Sequence, residues 1–219
     1  MIDLLSLDLL VPLLKGLKVT LFITFFSIIL ALSCAITAGL GRLSRFRLVR
    51  GIVMVYVEIF RGTSLLIQLF WIYFALPMVL DIRMSAMTAA ILALGLNYGA
   101  YGSEVVRSSI LAIPKGQIEA SIALNMTPFQ RMRRIIFPQA WTMMLPGFGN
   151  LQIELLKGTS LVYLITLADL TYQGMMLRSY DISRTSAILV WLLILYFVAA
   201  YVLTLIVRYA ERKAAVGRV

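Results

Sequence analysis

Long stretches without a charged residue constrain this chain more than any other feature of its sequence. The longest such runs cover residues 19–41, 62–80, 84–103 and 185–207. A helix needs about 20 apolar residues to cross the hydrocarbon core of a bilayer, and a chain inside lipid must satisfy its backbone hydrogen bonds internally. Each run therefore predicts a membrane-spanning helix.

Composition and charge also indicate a membrane environment. Hydrophobic residues make up 61% of the chain and charged residues 14%, whereas soluble domains have about 45–50% and about 25%. The net charge of +10 comes from short clusters between apolar runs, which is typical of loops beside anionic lipid. We therefore expect membrane lipid, and no nucleic acid, as a partner. Asp3 and Asp8 stand where a signal peptide would carry bases, so a retained first helix is expected.

A fifth span is predicted at 141–168, but its pattern is less regular. Pro146, Gly147 and Gly149 lie near its start, and Glu154 and Lys157 lie within it. Broken helices at membrane depth line cavities or pack inside protein. The pattern therefore predicts either a discontinuous helix beside a cavity or a kinked structural helix.

The distribution of basic residues predicts the orientation of the five spans, at about 17–40, 55–79, 84–106, 141–168 and 186–208. With the N-terminus outside, 13 of the 20 Lys and Arg residues fall on the cytoplasmic side and 5 on the outer side. The cytoplasmic set is Arg42, Arg45, Arg47, Arg50, Arg107, Lys115, Arg131, Arg133, Arg134, Arg208, Arg212, Lys213 and Arg218, and the outer set is Lys15, Lys18, Arg83, Arg178 and Arg184. Basic residues favour cytoplasmic loops. The fold class predicted is an all-α integral membrane protein, N-out/C-in, with a cytoplasmic tail at 209–219.

The segment 107–138, between spans 3 and 4, is longer than a turn between two neighbouring membrane spans requires. Pro114 precedes a pattern typical of a short helix, and Thr127 and Pro128 predict the cap and first residue of a second helix. Pro138 is expected to end that second helix. A cytoplasmic elbow of two helices predicts a docking surface for another protein.

Two short segments of the chain repeat each other. Residues 58–65 read Glu-Ile-Phe-Arg-Gly-Thr-Ser-Leu, and residues 154–161 read Glu-Leu-Leu-Lys-Gly-Thr-Ser-Leu. A lone charge at the bilayer centre costs about 2.5–3.5 kcal/mol, and residues three apart share a helix face. We therefore expect Glu58 to pair with Arg61, and Glu154 with Lys157.

Two interpretations of these paired charges remain open. They can surround the pathway or gate of a solute, and charges of both signs would suit a zwitterion. Alternatively, they are structural ion pairs that lock helices together, or side chains that reach the membrane interface. Asn97, Tyr98, Tyr101 and Glu104 of the third span join the pathway candidates, because the spacing of Asn97, Tyr101 and Glu104 places those three on one helix face.

Several chemistries are excluded by what the sequence lacks. There is no histidine, Cys34 is the only cysteine, and no Gly-x-x-x-x-Gly-Lys-Ser/Thr phosphate loop occurs. Neither His-ligated metal nor an intrachain disulfide is therefore expected. We predict no catalytic or metal-binding residues and no cofactor on this chain. If ATP drives transport, a separate protein must hydrolyse it.

Residues 104–121, Glu-Val-Val-Arg-Ser-Ser-Ile-Leu-Ala-Ile-Pro-Lys-Gly-Gln-Ile-Glu-Ala-Ser, resemble the cytoplasmic coupling loop of type I ABC importer permeases. More narrowly, this stretch is similar to that of the polar amino acid (His/Glu/Gln/Arg/opine) branch, which the two repeats also fit. The resemblance covers about residues 15–208 as one transmembrane domain. Where the loop signature has Ala, Gly and Leu, this chain has Ser121, Asn125 and Phe137. Because Asn tolerates a left-handed backbone, the turn at Asn125 is expected to survive.

This resemblance implies partners and a mechanism. The permease would pair with an identical or homologous permease in the bacterial inner membrane, and an external solute-binding protein would deliver cargo. Two ATPase subunits, which would bind the ATP, would grip the coupling helix, with Glu119 as an anchor. The coupling residues implied are Lys115, Gly116, Gln117, Glu119, Ala120, Ser121 and Asn125.

The solute is expected to be a polar amino acid or a similar zwitterion, with ectoine or hydroxyectoine as a variant. A second hypothesis is a self-sufficient secondary transporter or channel that uses the membrane acid–base pairs as relays. A third is a membrane anchor or scaffold without transport. Dependence of uptake on ATP and a binding protein would separate the first hypothesis from the others.

Overall fold

The computed structural model describes residues 7–215, and within that range every regular element is helical. The α-helices are α1 (Leu10–Arg42), α2 (Arg47–Gly62), α3 (Leu65–Phe70), α4 (Leu76–Leu80), α5 (Ala86–Leu111), α6 (Lys115–Ala123), α7 (Pro128–Arg131), α8 (Phe137–Gly158), α9 (Leu170–Tyr180) and α10 (Thr185–Ala215). Short 3-10 helices cover Leu7–Leu9, Thr159–Ile165 and Ile182–Arg184, and π-helical turns cover Trp71–Ala75 and Met132–Ile136. The predicted all-α fold is confirmed. Of the predicted tail, residues 216–219, with Arg218, lie outside the described residues.

Length and composition identify the helices that can cross a membrane. Within the described residues, Leu10–Arg42 and Ile182–Ala214 are each long and apolar enough to do so alone. Two bent pairs, Arg47–Gly62 with Leu65–Leu80 and Pro128–Ile165 with Leu170–Tyr180, raise the number to four if each pair is one span. Helix α5, which covers the third predicted span, is not among them. The count of five spans and their orientation stay predictions.

Helix α5 lies at the centre of the molecule and packs closely along α1. Its glycines Gly95, Gly99 and Gly102 face α1. The nearest α1 atoms, from Leu30, Cys34 and Ala35, lie 2.5, 2.6 and 2.7 Å from where a Cβ would stand. Small residues allow helix backbones to approach closely in membranes. Helix α5 is therefore the central helix, and the other helices are arranged around it.

The predicted second span is sharply bent rather than straight. Helix α2 ends at Gly62, Thr63 and Ser64 have extended backbones, and the chain then turns by 109° into α3 and α4. The bend falls inside the first repeat, between its glycine and its leucine. The first repeat is therefore a helix break, which the apolar pattern alone did not predict.

Proline affects the helices differently from what the sequence predicted. Pro138 was expected to end a helix, but the chain stays helical through it and also through Pro146, up to Gly158. A proline ring clashes with the carbonyl four residues earlier. Π-helical turns at Met132–Ile136 and Trp71–Ala75 immediately precede the segments that contain Pro138 and Pro77, and this wider winding makes room for the rings. The irregular part of the fourth span comes later, where Thr166 adopts a left-handed backbone at φ 60°.

The two helix starts of the elbow between α5 and α8, and the turn between them, have the local structure that was predicted. Helix α6 begins after Pro114, and α7 begins at Pro128 with a capping box in which Thr127 and Gln130 bond each other's backbone N–H groups. Asn125 has a left-handed backbone at φ 57°, as expected. Only residues 112–114 separate α5 from α6, and Ile113 among them is buried.

Candidate transport pathway and coupling surface

The helix break in the first repeat is held by two buried amides. The last carbonyls of a helix lack partners within the helix, and the Phe60 carbonyl accepts hydrogen bonds from Asn97 Nδ2 at 3.0 Å and Gln68 Nε2 at 2.9 Å. Gln68 Nε2 also donates to Thr63 O and Thr63 Oγ1, and Gln68 Oε1 accepts from Asn97 Nδ2 at 3.0 Å. Gln68 and Asn97 are only 8% and 4% exposed. Asn97 therefore stabilises the break, and its place in the solute pathway stays a prediction.

Two tyrosines of α5 reach the backbone of both repeats. The Tyr98 hydroxyl donates to the Glu154 carbonyl at 2.9 Å, and the Tyr101 hydroxyl donates to the Arg61 carbonyl at 3.4 Å. A Cβ on Gly158 would stand 2.8 Å from the Tyr98 hydroxyl and 3.4 Å from the Leu65 side chain. The two repeats, distant in sequence, therefore converge on one face of α5.

The ion pairs predicted within the repeats do not form. Among the described residues, neither Glu58 with Arg61 nor Glu154 with Lys157 comes within salt-bridge distance. All four side chains are exposed. The expectation was wrong because an exposed charge does not need a partner on its own helix, and because a third residue, Glu104, attracts Arg61.

Glu104 is the centre of a cluster of charges that joins three helices. Its carboxylate lies 2.5 Å from an N–H nitrogen of Arg42 on α1, 2.5 Å from Arg107 on α5 and 3.7 Å from Arg61 on α2. The Arg61 guanidinium also lies over the Tyr101 ring, 5.4 Å from its centroid. The hydrogen bonds that Arg107 donates to Glu104 raise the pKa of Arg107, which lies beyond the third predicted span. Glu104 thus links α5 to α1 and α2 through its contacts with arginines.

A polar cavity of about 340 Å³ opens beside the first repeat. Its lining includes Arg42, Met54, Val57, Glu58, Arg61 and Tyr101, and we call it the Arg61 cavity. A second cavity of about 510 Å³ lies at the helix break, between apolar side chains such as Ile67 and Trp71. Only the Arg61 cavity, of these two, offers charged groups of both signs.

The coupling residues implied by the family resemblance lie on the elbow, and most of them are accessible. Lys115, Gly116, Gln117, Glu119, Ala120 and Asn125 are exposed. Ser121 is the exception: it is 2% exposed and its hydroxyl donates to the Ile118 carbonyl at 2.6 Å. Ser121 therefore supports the elbow from inside, and its role in coupling stays a prediction.

Several residues of these two sites were not singled out from the sequence. On the elbow, Ile122, Leu124 and Phe129 are 55%, 76% and 73% exposed, so a partner would meet an apolar surface around Glu119. At the break, Gln68 was overlooked although it is a lone amide in the apolar run 65–80. Arg42 had been assigned to a cytoplasmic loop rather than to a site.

No group of three or more His, Cys, Asp or Glu side chains in residues 7–215 is placed to hold a metal ion. The arrangement that is present combines membrane helices, a row of polar contacts along α5 and an exposed elbow. These features agree with the membrane transport subunit that the sequence predicts.

Comparisons with known proteins identify the family. The family model "Binding-protein-dependent transport system inner membrane component" matches residues 19–216. The chain is 45% identical to the "Probable amino-acid ABC transporter permease protein y4tF" of Sinorhizobium fredii, covering 93% of this chain and 87% of that protein. It is 35% identical to the glutamine transport system permease protein GlnP of Escherichia coli K12, covering 93% of each. A solved structure, "Crystal structure of an amino acid ABC transporter with histidines", matches with a TM-score of 0.88 and 33% identity over 97% of this chain and 99% of that one.

The chain belongs to the binding-protein-dependent transport system inner membrane components. It is the permease subunit of a type I ABC importer and a multi-pass protein of the inner membrane.

Proposed function

We propose that this permease carries a polar amino acid, or a zwitterion of similar size, across the bacterial inner membrane along the face of α5 where the two repeats converge. The observation that carries the proposal is that Tyr98 and Tyr101 hold the Glu154 and Arg61 carbonyls while the charged side chains of both repeats stay exposed. Similarity to permeases named for amino acids and for glutamine supports this solute class.

The chemistry of the repeats suits a zwitterion. Each repeat offers a carboxylate and a cation on one helix, at Glu58 and Arg61 and at Glu154 and Lys157. A carboxylate accepts hydrogen bonds from a solute ammonium group, and a guanidinium or ammonium donates to a solute carboxylate. Because neither pair forms an internal salt bridge, its charged groups remain available to a solute that passes between the two repeats.

The energy for transport comes from a separate subunit. The exposed surface of α6, with Glu119 among the apolar side chains Ile122 and Leu124, has the character of a protein interface: an apolar patch bordered by charge. We propose that two ATPase subunits, each binding ATP, dock on this surface in an assembly with two permeases, and that an external binding protein supplies the solute. The permease itself then needs no catalytic group or cofactor.

Uptake into reconstituted vesicles tests the solute class and the energy source. The permease would be reconstituted with its ATPase and binding protein, and uptake measured for a panel of standard amino acids, ectoine and hydroxyectoine. We expect accumulation of at least one amino acid, only with ATP inside and binding protein outside. Uptake driven by an ion gradient in vesicles without the ATPase would contradict the proposal and favour a secondary transporter.

Charge reversal at Glu119 tests the docking surface. Reversing a charge at a docking contact costs about 2 kcal/mol or more, so Glu119→Arg should lower both ATPase co-purification and uptake by roughly tenfold or more. Glu211→Arg is the matched control, because it makes the same change near the end of α10, which packs on α8 and α9. If Glu119→Arg and Glu211→Arg retain the ATPase equally, Glu119 does not anchor it.

A further inference from the structure

We propose that the Arg61 cavity is a binding station for the charged groups of an amino acid, with the solute carboxylate on Arg61 and the solute ammonium on Glu58. This inference rests on the proposed function and assigns roles within it. It would make the first repeat a site that recognises the backbone groups common to amino acids, whatever their side chain.

The Arg61 guanidinium has hydrogen-bonding capacity to spare. Its closest carboxylate oxygen, on Glu104, is 3.7 Å away, whereas Arg42 and Arg107 each approach Glu104 to 2.5 Å. Glu104 is thus engaged mainly by those two arginines. The Arg61 side chain is 40% exposed, and a guanidinium presents five N–H donors in a planar fork that fits a carboxylate. Arg61 is therefore placed to bind an incoming carboxylate.

Glu58 supplies the opposite charge at a suitable spacing. It precedes Arg61 by three residues on α2, so their Cβ atoms are about 5–6 Å apart on one helix face. Among the described residues it forms no salt bridge, and it is exposed on the cavity wall. An ammonium and a carboxylate carried on one solute carbon can meet Glu58 and Arg61 together.

The shape of the cavity also fits a small zwitterion. Its volume of about 340 Å³ lies within the range of small-molecule sites, which is about 300–1,000 Å³. Met54, Val57 and the Tyr101 ring provide apolar surface for the carbon atoms of a solute. The Tyr101 ring also orients Arg61 by stacking beneath its guanidinium.

The Glu104 carboxylate would compete with a solute carboxylate for Arg61. Both are negative, and a solute bound to Arg61 would lie close to Glu104, which repels it. Removing the charge of Glu104 should therefore strengthen solute binding. This effect is opposite to the loss expected if Glu104 were only a structural support, and it gives the inference a specific signature.

Protection of an introduced cysteine can measure occupancy of the cavity. Met54 is 42% exposed on the cavity wall, so Met54→Cys in a Cys34→Ser background gives one thiol beside Arg61. With the whole transporter in lipid nanodiscs, its rate of reaction with a maleimide would be measured with a mixture of the standard L-amino acids other than cysteine, which itself consumes maleimide, or with the amides of the same amino acids, which lack the carboxylate. We expect the acids to slow labelling severalfold and the amides to have no effect.

Variants of Arg61 and Glu104 sharpen the measurement. Protection should be lost in Arg61→Gln, partly kept in Arg61→Lys, and unchanged in the control Arg50→Gln at the other end of α2. In Glu104→Gln the concentration of amino acids that gives half protection should fall roughly two- to fivefold, which is the contribution expected of a partly exposed ion pair. Equal protection by acids and amides, or protection that survives Arg61→Gln, would overturn the inference.

The outcome can be separated from that of the proposed function. If vesicles take up an amino acid but the introduced cysteine is never protected, the station is wrong and the transport proposal stands. If no amino acid is taken up, the transport proposal itself has failed, and the station fails with it. Should Met54→Cys not assemble, the KM for uptake decides instead: Arg61→Gln must raise it and Glu104→Gln must lower it, and any other pair of results refutes the station.

Discussion

The two repeats share most of their sequence but differ in structure. In the first, the helix stops at Gly62, Thr63 is exposed and extended, and the chain turns by 109°. In the second, Thr159 is fully buried with a helical backbone, its hydroxyl donates to the Leu156 carbonyl, and the chain continues as a 3-10 helix. The Gly-Thr-Ser-Leu segment therefore permits a break but does not cause one.

The partners that surround each repeat decide the difference. Ending a helix inside a membrane protein leaves carbonyl groups without partners, which is costly away from water. Gln68 and Asn97 satisfy the Phe60 and Thr63 carbonyls in the first repeat. In the second repeat one hydroxyl, from Tyr98, reaches the Glu154 carbonyl while the helix itself continues. Side-chain amides outside the first repeat therefore make its break possible.

Among the substitutions that test the difference between the two repeats, removal of the Gln68 amide should have the largest effect on stability. Gln68→Leu removes one of the two amide donors to the Phe60 carbonyl and takes a partner from the buried Asn97. Each buried polar group that loses its partner costs about 1–3 kcal/mol, so we expect a loss of about 3 kcal/mol in stability. Thermal unfolding of the purified transporter in detergent would measure it.

Gln152→Leu is the matched control for Gln68→Leu, since Gln152 is a half-buried glutamine just before the second repeat. We expect that variant to change stability by less than about 1 kcal/mol, within the usual range of substitutions away from a buried network. If both variants unfold at the same temperature, the amides do not maintain the break.

Alanine at the two repeat glycines should give a smaller, asymmetric effect. A Cβ on Gly158 would stand 2.8 Å from the Tyr98 hydroxyl, which must then give up its bond to Glu154, whereas a Cβ on Gly62 meets no atom within 4 Å. Gly158→Ala should cost about 1–2 kcal/mol. Gly62→Ala should be neutral or stabilise by up to about 1 kcal/mol, because alanine restricts the unfolded chain. Thermal unfolding of both variants is the measurement, and equal shifts would show that the repeats are packed alike.

Removing the tyrosine hydroxyls should have the smallest effect. Tyr98→Phe loses a hydrogen bond of 2.9 Å and should cost about 1 kcal/mol, while Tyr101→Phe loses a weaker one of 3.4 Å and should cost a few tenths, about 0.3 kcal/mol. Unfolding temperatures of the two variants would rank the bonds. A larger loss for Tyr101→Phe would place the stronger anchor at the first repeat.

Local chemistry in the sequence predicted the elbow well. Thr127 with Gln130 forms a capping box, and Pro128 begins α7, because these features act within one helical turn. Asn125 likewise takes the left-handed backbone that its small polar side chain tolerates. The fold class also followed from the sequence, since long apolar runs leave few alternatives to membrane helices.

Features that depend on distant contacts were not predictable. Arg61 was expected to pair with Glu58 on its own helix, yet it lies nearer to Glu104 on another helix, and no local pattern indicates that approach. Pro138 was expected to end a helix because a proline signal does not reveal that a π-helical turn precedes it. The role of Gln68 needs Asn97 beside it, and only the folded chain brings them together.

The three-residue connection at 112–114 has a mechanical consequence. A chain spans at most about 3.3–3.6 Å per residue, and Ile113 is also held in the interior. If a partner subunit displaced α6 by several ångströms, the connection at 112–114 would become fully extended and α5 would have to move with α6. Because α5 is hydrogen-bonded to the backbone of both repeats, a displacement of α6 would move the two repeats together.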